Sequence, residues 1–381
     1  MSTVETATRG PWQGAALNVF PLVFEPILKP RLWGGARLWE KLGKSSRSGK
    51  RIGESWELAD LPSDQSVVAC GPLAGKTLHE VVELWGVELT GGAALCDGRF
   101  PLLIKFLDAN EPLSIQVHPR EGIAPGGTGV RKKNEAWYVI AASPEAYIYR
   151  GVRDGVGLQE LREATLHGRL PEMLHRIPVR AGQCYYLPSG TIHALGGGIM
   201  VAEVQTPSDT TFRLYDWDRI DSTTGRGREL HIDEALQHAL LEQPPYEAER
   251  QEHQASVWTT VTRLVRSPSF VVERVRMVAG VENDIPYEEM IVWIVLEGSG
   301  SIECEGLADP LGFQTGTTVL LPAGLKRGHV KITSRTMWLE VSVPVGSSLA
   351  GYERPNRESP PASGGKEAFV ELGVPETKRD Q

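Results

Sequence analysis

Residues Gly182–His193 read GQCYYLPSGTIH, and residues Gly316–Arg327 read GTTVLLPAGLKR. Each segment has a glycine, five residues, a proline, one residue and a second glycine, and its final position follows after two more residues. That final position is His193 in the first frame and Arg327 in the second. An imidazole has a lone pair for a metal ion, whereas a guanidinium stays protonated and has none. The repeated frame predicts a duplicated β-structure with one active site.

The rest of the chain reads mostly as short strands. Strand-like runs occupy residues 101–107, 135–142, 184–188 and 290–298. The 41 glycines and 26 prolines suit many strands joined by tight turns. Apolar residues at helical spacing predict helices at 76–85, 157–174 and 231–241. We therefore expect a mainly β protein with a few helices.

Length and composition set the broad class of protein. A chain of 381 residues is long enough for two domains with buried cores. Its net charge of −8 argues against nucleic acid or an anionic membrane as the main partner. The four cysteines are widely separated, and the longest clear apolar run, Met290–Leu296, is too short to span a bilayer. The N-terminal residues lack the apolar core of a signal peptide. We expect a cytoplasmic protein that binds neither nucleic acid nor membranes.

Changes in composition divide the chain into two predicted domains and two tails. Residues 1–20 are small and polar and are predicted to form a flexible arm. Residues 348–381 are rich in Ser, Gly, Pro and charge and are predicted to be disordered. The polar stretch 243–256 reads as a connection between two halves. We expect a catalytic metal-binding domain at 21–250 and a C-terminal domain without metal ligands at 251–347.

Three segments hold the candidate metal ligands. In LSIQVHPRE, Gln116 and His118 are two residues apart, so on a strand both side chains point to the same face. Glu135 begins the apolar strand EAWYVI, and His193 follows the turn of the first frame. Two imidazoles, a carboxylate and an amide oxygen suit a divalent ion such as zinc, with iron, cobalt or manganese as alternatives. Each residue alone also fits a structural role, but their occurrence together favours a metal site.

Longer stretches around these residues carry a family resemblance. The stretches are PLLIKFLDANEPLSIQVHP, NEAWYVI, PSGTIHAL, SDTTFRLYDWDR, RIGESWELAD and LKPRLWGG. Together they resemble the type I mannose-6-phosphate isomerases of the cupin superfamily, in their shorter bacterial branch, over roughly residues 22–345. The resemblance implies two cupin-type (jelly-roll) β-barrels, the first with helical insertions. It also implies one zinc ion per chain, bound by Gln116, His118, Glu135 and His193, and an active-site arginine at Arg213.

The implied activity is interconversion of mannose 6-phosphate and fructose 6-phosphate through an enediol(ate). This reaction needs an opened sugar ring and a proton that moves between C2 and C1. Zinc would stabilise the negative charge that develops on the sugar oxygens, and Arg213 would add fixed positive charge beside it. Lys133 and Asp209 are both candidates for moving the proton, and the sequence does not choose between them.

The residues by themselves leave alternatives open at these positions. Asp209 and Arg213 could form a surface salt bridge of little energetic value, although their place after a metal-bearing strand favours the rim of an active site. Arg131, Lys132 and Lys133 read either as a solvated basic stretch or as the phosphate site that an acidic protein would need.

Two other functions fit parts of the pattern. A metal-bearing cupin could bind or sense a sugar phosphate without turnover, but Arg213, Asp209 and Lys133 beside a full ligand set favour catalysis. An iron-dependent oxygenase is disfavoured because such sites usually lack an amide ligand and a phosphate-binding cluster. The second frame is expected to be structural, with a phosphate or oligomer contact through Lys326 or Arg327 as the alternative. The assembly is expected to be a monomer or a small homo-oligomer.

Five further residues are candidates for the surroundings of the site. Glu54 and Glu57 in GESWE could hold the metal ligands in position without binding the metal themselves, and Lys105 could face the site. Trp33 and Trp56 read as packing residues that could also shape the mouth of a cavity.

Overall fold

The computed structural model describes residues 18–44, 51–120, 132–221, 224–242 and 253–345. The predicted tail at 348–381 and most of the predicted connection at 243–256 lie outside these ranges. The predicted arm also lies outside them except for its last three residues, of which Val19 and Phe20 are buried in the core. No helix within the described ranges is long and apolar enough to cross a membrane.

The described residues form a mainly β protein with a few helices, as predicted. The elements of the first half are β1 (Leu22–Val23), β2 (Ile27–Gly35), α1 (Arg37–Leu42), β3 (Ile52–Leu58), α2 (Leu78–Trp85), α3 (Val87–Thr90), β4 (Leu103–Ala109), β5 (Ile115–Val117), β6 (Glu135–Ala142), β7 (Tyr147–Val152), α4 (Leu158–Leu166), β8 (Leu174–Pro178), β9 (Cys184–Leu187), β10 (His193–Leu195), β11 (Ile199–Gln205), β12 (Phe212–Tyr215) and α5 (Ile232–His238). Those of the second half are β13 (His253–Ala255), β14 (Thr259–Arg266), β15 (Val271–Met277), β16 (Glu282–Asp284), β17 (Ile291–Glu297), β18 (Ser299–Glu303), β19 (Leu311–Gln314), β20 (Thr318–Leu321), β21 (His329–Ile332) and β22 (Thr336–Ser342).

Each half contains a large and a small antiparallel sheet. In the first half the strand orders are β2-β3-β4-β11-β6-β9 and β12-β5-β10-β7-β8. In the second half they are β1-β20-β17-β22-β15-β14-β13 and β16-β21-β18-β19. Because β1 comes from the start of the chain and pairs with β20, the first half contributes an edge strand to the second half's large sheet.

The two large sheets share one apolar core. On β17, Val292 and Ile294 face this shared core, whereas Ile291 and Trp293 face the interior of the second half. A strand that is buried on both faces needs apolar residues at every position, and this explains the unbroken run IVWIVL.

The interior of the first half changes from apolar to polar along its strands. Alternate residues of β11 point inward, and Ile199 and Val201 contribute to an apolar cluster at one end. The next inward residues on the same strand are Glu203 and Gln205, which are buried and polar. Lys105 on β4 lies opposite Glu203. The sheet therefore supplies an apolar end and a polar end in which a site can form.

The predicted helix at 157–174 is wrong in its extent. It is interrupted after α4, and a separate 3₁₀ turn follows at Leu170–Met173. The break occurs at Gly168, whose φ of 68° is incompatible with a continuing right-handed helix. The other two predicted helices are present in shorter form, and α2 begins with a capping box between Thr77 and Glu80.

The two sequence frames match in structure only up to their prolines. Gly182 and Gly316 both have a φ of 89°, and each precedes a strand that ends before the proline. Beyond that point the first frame enters β10 at His193, but the second frame enters β21 only at His329. Arg327 lies in the intervening loop with a φ of 50° and a highly exposed side chain. The expectation that His193 and Arg327 occupy equivalent positions is therefore wrong, because His193 begins a strand and Arg327 lies in a loop.

Candidate active site

A cavity of about 850 Å³ lies at the polar end of the first half. Four predicted site residues line it, namely Gln116, Lys133, Asp209 and Arg213. Six basic side chains and four carboxylates form its walls, although the whole chain carries a net charge of −8. The cavity therefore concentrates positive charge within an acidic protein.

The strands bring the candidate ligands together from distant parts of the chain. His193 in β10 lies opposite Gln116 in β5. β5 ends at Val117, so His118 follows the strand instead of lying within it. Its ring nevertheless lies 4.6 Å from that of His193 between centroids. Glu135 begins β6 in the six-stranded sheet, so both sheets of the first half contribute to the group.

His118, Glu135 and His193 form a buried cluster whose ligand atoms all lie within 4.8 Å of one another. His118 Nε2 is 2.9 Å from Glu135 Oε2, and His193 Nε2 is 3.2 Å from Glu135 Oε1. The amide of Gln116 lies beside them, 3.3 Å from His193 Nε2. A half-turn of that amide exchanges its nitrogen and oxygen, so Gln116 can also present the oxygen that a metal prefers.

The hydrogen bonds around this cluster leave lone pairs that point into it. His193 Nδ1 lies 2.8 Å from the carbonyl oxygen of Thr191, so Nδ1 carries the proton and Nε2 is an acceptor. That acceptor faces Glu135 Oε1, a buried oxygen without a hydrogen-bond donor. A cation between these atoms would replace their repulsion with attraction. The donor set thus fits a divalent metal ion.

Burial and neighbouring charges shift the pKa values of two members of the cluster, His118 and Glu135. Burial lowers the pKa of His118 to about 3, and the charge of Lys133 acts in the same direction. Burial alone raises the pKa of Glu135, but His118 and Lys133 beside it hold that pKa well below its usual range. A neutral imidazole and an ionised carboxylate are the forms that bind a metal ion.

Arg213 lies on β12, directly opposite Gln116 in β5. Its Nη1 donates to the carbonyl oxygen of Glu229 at 2.9 Å, and its Nε donates to Ser114 Oγ at 3.3 Å. Burial lowers the pKa of this guanidinium, and the charge of Arg228 acts in the same direction. Within the described ranges no carboxylate lies at ion-pair distance from Arg213. Its charge is therefore available to an anion in the cavity.

Lys133 and Asp209 occupy different parts of the cavity. Lys133 precedes β6 by two residues, yet it is buried and its Nζ lies 3.2 Å from Glu135 Oε2. Asp209 is exposed and lies in the loop before β12. In the described structure Asp209 forms no ion pair with Arg213, so the surface salt-bridge alternative is wrong.

The sequence interpretation missed a buried network behind the ligands. Glu203 accepts a hydrogen bond from Trp137 Nε1 at 2.8 Å and lies 3.2 Å from Lys105 Nζ. Lys105 also donates to Gln205 Oε1 at 2.8 Å, so its expected position near the site is confirmed. Burial raises the pKa of Glu203, Lys105 opposes this change and Glu135 reinforces it. The available signal was a glutamate within the apolar run IMVAEVQ, because a buried charge requires a partner.

The cavity's other basic side chains were also missed as a group. Arg31, Arg51, Arg228 and His231 line it from segments that are far apart in the sequence. Arg228 is held by Asp216 through two hydrogen bonds of 2.7 and 2.5 Å. No local pattern could have indicated this assembly, since it depends on how the strands and loops fold together.

The predicted basic stretch contributes less than expected. Lys133 lines the cavity, whereas Lys132 is not part of its lining. The carbonyl oxygen of Lys132 accepts a hydrogen bond from Thr206 Oγ1 at 3.2 Å. Arg131 lies outside the described residues.

The two glutamates of GESWE lie on opposite faces of β3. Glu54 lines the cavity, where it accepts hydrogen bonds from Arg31 Nε at 2.6 Å and Trp56 Nε1 at 2.7 Å. Glu57 instead faces Lys44, with Nζ 2.7 Å from Oε2, so its expected support of the ligands is wrong. Trp33 lines the cavity.

Comparison with known proteins identifies the family. A family model described as phosphomannose isomerase type I, catalytic domain, matches residues 22–147. The mannose-6-phosphate isomerase ManA of Bacillus subtilis is 36% identical over 307 residues, which is 80% of this chain and 94% of that protein. The chain belongs to the type I phosphomannose isomerase family.

Further members of the family agree with this assignment. A mannose-6-phosphate isomerase of Streptococcus mutans is 37% identical over 308 residues, covering 80% of this chain and 93% of that protein. The crystal structure of the mannose 6-phosphate isomerase from Bacillus subtilis superposes with a TM-score of 0.75 at 33% identity, covering 85% of this chain and 99% of that one. The resemblance found in the sequence is confirmed, and so is the prediction of an enzyme of this family.

Proposed function

We propose that this protein is a zinc-dependent aldose–ketose isomerase that interconverts mannose 6-phosphate and fructose 6-phosphate through an enediol(ate). The observation that carries the proposal is the combination of a buried His–Glu–His cluster with a cavity in which basic side chains outnumber carboxylates. The cluster suits a metal that contacts sugar oxygens, and the basic walls suit a phosphate. The family to which the chain belongs supports the same reaction.

The proposed zinc ligands are Gln116, His118, Glu135 and His193, with one ion per chain. Three of them form the buried cluster, and Gln116 lies beside it in the cavity wall. Three neutral ligands and one carboxylate leave the site with net positive charge. When bound, zinc would act as a Lewis acid that stabilises negative charge on the oxygens of C1 and C2.

Arg213 is proposed to hold the developing enediolate by charge. Its position opposite Gln116 puts it beside a proposed ligand, and its hydrogen bonds to Ser114 and Glu229 fix the guanidinium without neutralising it. A charge that is oriented before the reaction stabilises the transition state more than one that must reorient.

The proton transfer is assigned to Lys133, with Asp209 as the rival candidate. Lys133 lies against Glu135 and is shielded from solvent, which suits a group that passes a proton between two adjacent carbons. Asp209 is exposed on the cavity wall and has no hydrogen bond to a proposed ligand among the described residues. Turnover in Lys133→Met and Asp209→Asn would distinguish the two assignments.

The sheet arrangement supports two cupin-type jelly-roll barrels as the architecture. The proposed catalytic domain spans 21–250 with helical insertions, and the proposed second domain spans 251–347. A sugar phosphate as the partner follows from the proposed reaction. The cytoplasmic location, the exclusion of nucleic acid and membranes, and an assembly no larger than a small homo-oligomer stay predictions.

The proposal is tested by an assay of mannose 6-phosphate in heavy water, together with metal analysis of the same sample. The expected result is fructose 6-phosphate with solvent deuterium at C1 or C2 and about one zinc per chain. A folded, zinc-containing protein that gives neither product nor exchange would overturn the isomerase and favour a non-catalytic sugar-phosphate sensor. Iron with oxygen consumption would instead indicate an oxygenase.

A further inference from the structure

The second half contacts the first sequence frame at successive points along β9. Arg274 Nη1 donates to the carbonyl oxygen of Gly182 at 3.3 Å, just before the strand begins. The ring of Phe270 packs edge-on against Tyr186 within the strand, with centroids 6.1 Å apart. Both contacts come from β15 or the turn before it, so one element of the second half follows the segment that leads to His193.

The same turn reaches the candidate ligands through Asn134. The side chain of Asn134 is buried between Lys133 and Glu135 in the chain. Its Nδ2 donates to Ser269 Oγ of the second half at 3.0 Å, and its Oδ1 accepts from the backbone N–H of Ser189 at 3.0 Å. One amide thus connects the second half to the turn of the first frame.

The turn that begins at Ser189 contacts the backbone of His118 and the imidazole of His193. The N–H of Gly190 donates to the carbonyl oxygen of His118 at 3.0 Å. The carbonyl oxygen of Thr191 accepts the hydrogen bond that fixes the ring of His193. A restraint on Ser189 therefore also restrains the backbone that orients both histidines. Because Glu135 directly follows Asn134, a restraint on Asn134 also acts on Glu135.

The other end of the connection is itself fixed. In the turn between β14 and β15, the N–H of Ser267 donates to the carbonyl oxygen of Phe270 at 3.0 Å, and Ser267 Oγ donates to the same oxygen at 2.8 Å. Phe270 is fully buried in the core that the two halves share. Ser269 is consequently presented to Asn134 from a turn with little freedom to move.

We propose that Asn134 and Ser269 are positioning residues through which the second half holds the metal ligands in place. The relay runs from Ser269 Oγ through the Asn134 amide to the N–H of Ser189, and it restrains Glu135 and both imidazoles together. This proposal rests on the proposed metal-dependent function. It gives the second half a part in the reaction without a ligand of its own.

The test uses the full-length, zinc-loaded protein and measures zinc release to a chromophoric chelator alongside kcat and KM. Ser269→Ala removes the acceptor of the relay, Ser269→Thr keeps the hydroxyl, and Ser299→Ala removes a hydroxyl hydrogen bond elsewhere in the second half. Ser269→Ala is expected to keep its fold and its KM but to release zinc about three- to tenfold faster and lose kcat by a similar factor. Ser269→Thr and Ser299→Ala should match the wild type.

A second comparison tests whether the two residues act as one relay. Asn134→Ala should release zinc faster than Ser269→Ala because it also frees Ser189, and adding Ser269→Ala to it should change nothing further. Additive effects of the two substitutions, or wild-type zinc release in Ser269→Ala, would overturn the relay. Zinc release is measured without substrate, so a wild type that binds zinc but lacks isomerase activity would defeat the proposed function and leave this test valid.

Discussion

The two halves of the molecule place the same residue pair on corresponding strands. In the first half, Trp137 on β6 lies opposite Glu203 on β11, and in the second half Trp293 on β17 lies opposite Glu340 on β22. The strand orders β4-β11-β6-β9 and β15-β22-β17-β20 also correspond. The halves nevertheless differ in what surrounds this pair, and the proposed chemistry depends on that difference.

Two inward positions differ between the two halves. Lys105 lies opposite Glu203 in the first half, whereas a second carboxylate, Glu273, lies opposite Glu340 in the other. Glu135, the proposed metal ligand, begins β6 where Ile291 begins β17. The same strand arrangement therefore surrounds a cavity with charged walls in the first half and a mainly apolar cluster in the second.

The largest expected contrast is between the histidines that begin β10 and β21. His193→Ala should lose the metal and reduce turnover more than about 100-fold. Even the residues that hydrogen-bond to metal ligands typically change metal affinity or activity by about 10- to 100-fold when they are mutated. His329→Ala should change neither, because His329 faces Asp284 on the outer surface of the second half. Metal content after dialysis and the isomerase assay check both variants. Full metal occupancy in His193→Ala would contradict the proposed ligand.

The next largest contrast in turnover is expected between Arg213, which lines the cavity, and Arg327, which ends the second sequence frame. Arg213→Ala should keep the fold and the metal but lower kcat by about 10²- to 10³-fold, as expected for a preorganised charge at the reacting atoms. Arg327→Ala should be silent, since Arg327 is exposed and contacts Glu305 outside the cavity. Steady-state kinetics of the metallated variants provide the measurement. Equal effects of the two substitutions on kcat would contradict the proposal that the first half alone contains the active site.

The paired tryptophans give a smaller contrast that concerns stability. Trp137 Nε1 donates to Glu203, whereas Trp293 Nε1 is buried without a hydrogen-bond acceptor. Trp137→Phe should therefore destabilise the protein by about 1–3 kcal/mol more than Trp293→Phe, since only the first removes a hydrogen-bond donor from an oxygen of a buried carboxylate. Urea unfolding of the metal-free proteins measures the difference. A larger loss in Trp293→Phe would show that packing in the apolar cluster of the second half matters more than the polar network.

The smallest expected contrast is between the pH dependences of two glutamates on opposite faces of β3. Glu54 faces the cavity and Glu57 faces Lys44. Burial alone raises the pKa of Glu54, but Lys105 and Arg31 lower it overall, so its stabilisation is lost as the pH falls below about 4.5. Burial raises the pKa of Glu57 despite Lys44, so its stabilisation is lost as the pH rises above about 4.5.

Relative to Glu54→Gln and Glu57→Gln, the wild-type free energy of unfolding should therefore change with pH in opposite directions. Each unit of pKa displacement corresponds to about 1.4 kcal/mol. Urea titrations from about pH 3 to about pH 8 cover both ranges and test this expectation. Slopes of the same sign would mean that both carboxylates experience the same surroundings.

The sequence was sufficient for the parts of the site that depend on short segments. The β class, the grouping of His118, Glu135 and His193, and the position of Lys133 beside Glu135 follow from local runs, because a strand's alternation and a motif's spacing lie within a few residues. The role of Arg213 was implied by the family resemblance and stays a prediction. The helix at 157–174 failed at Gly168, whose left-handed backbone ends α4. The frame comparison failed at Arg327 because the loop before β21 is longer than the one before β10.

What the sequence could not supply depends on contacts between distant segments. The Glu203–Lys105 pair forms across two strands that are adjacent only in the folded sheet. The relay from Ser269 to Asn134 joins residues from different halves. No spacing rule connects such positions, since their proximity results from the packing of the two large sheets on one core.

The most direct test of the division of labour is the number of metal ions per chain, measured together for the wild type, His118→Ala and His329→Ala. The account predicts about one zinc per chain in the wild type and in His329→Ala, and none in His118→Ala. Two ions per wild-type chain, or zinc that persists in His118→Ala and disappears in His329→Ala, would contradict a single metal site in the first half.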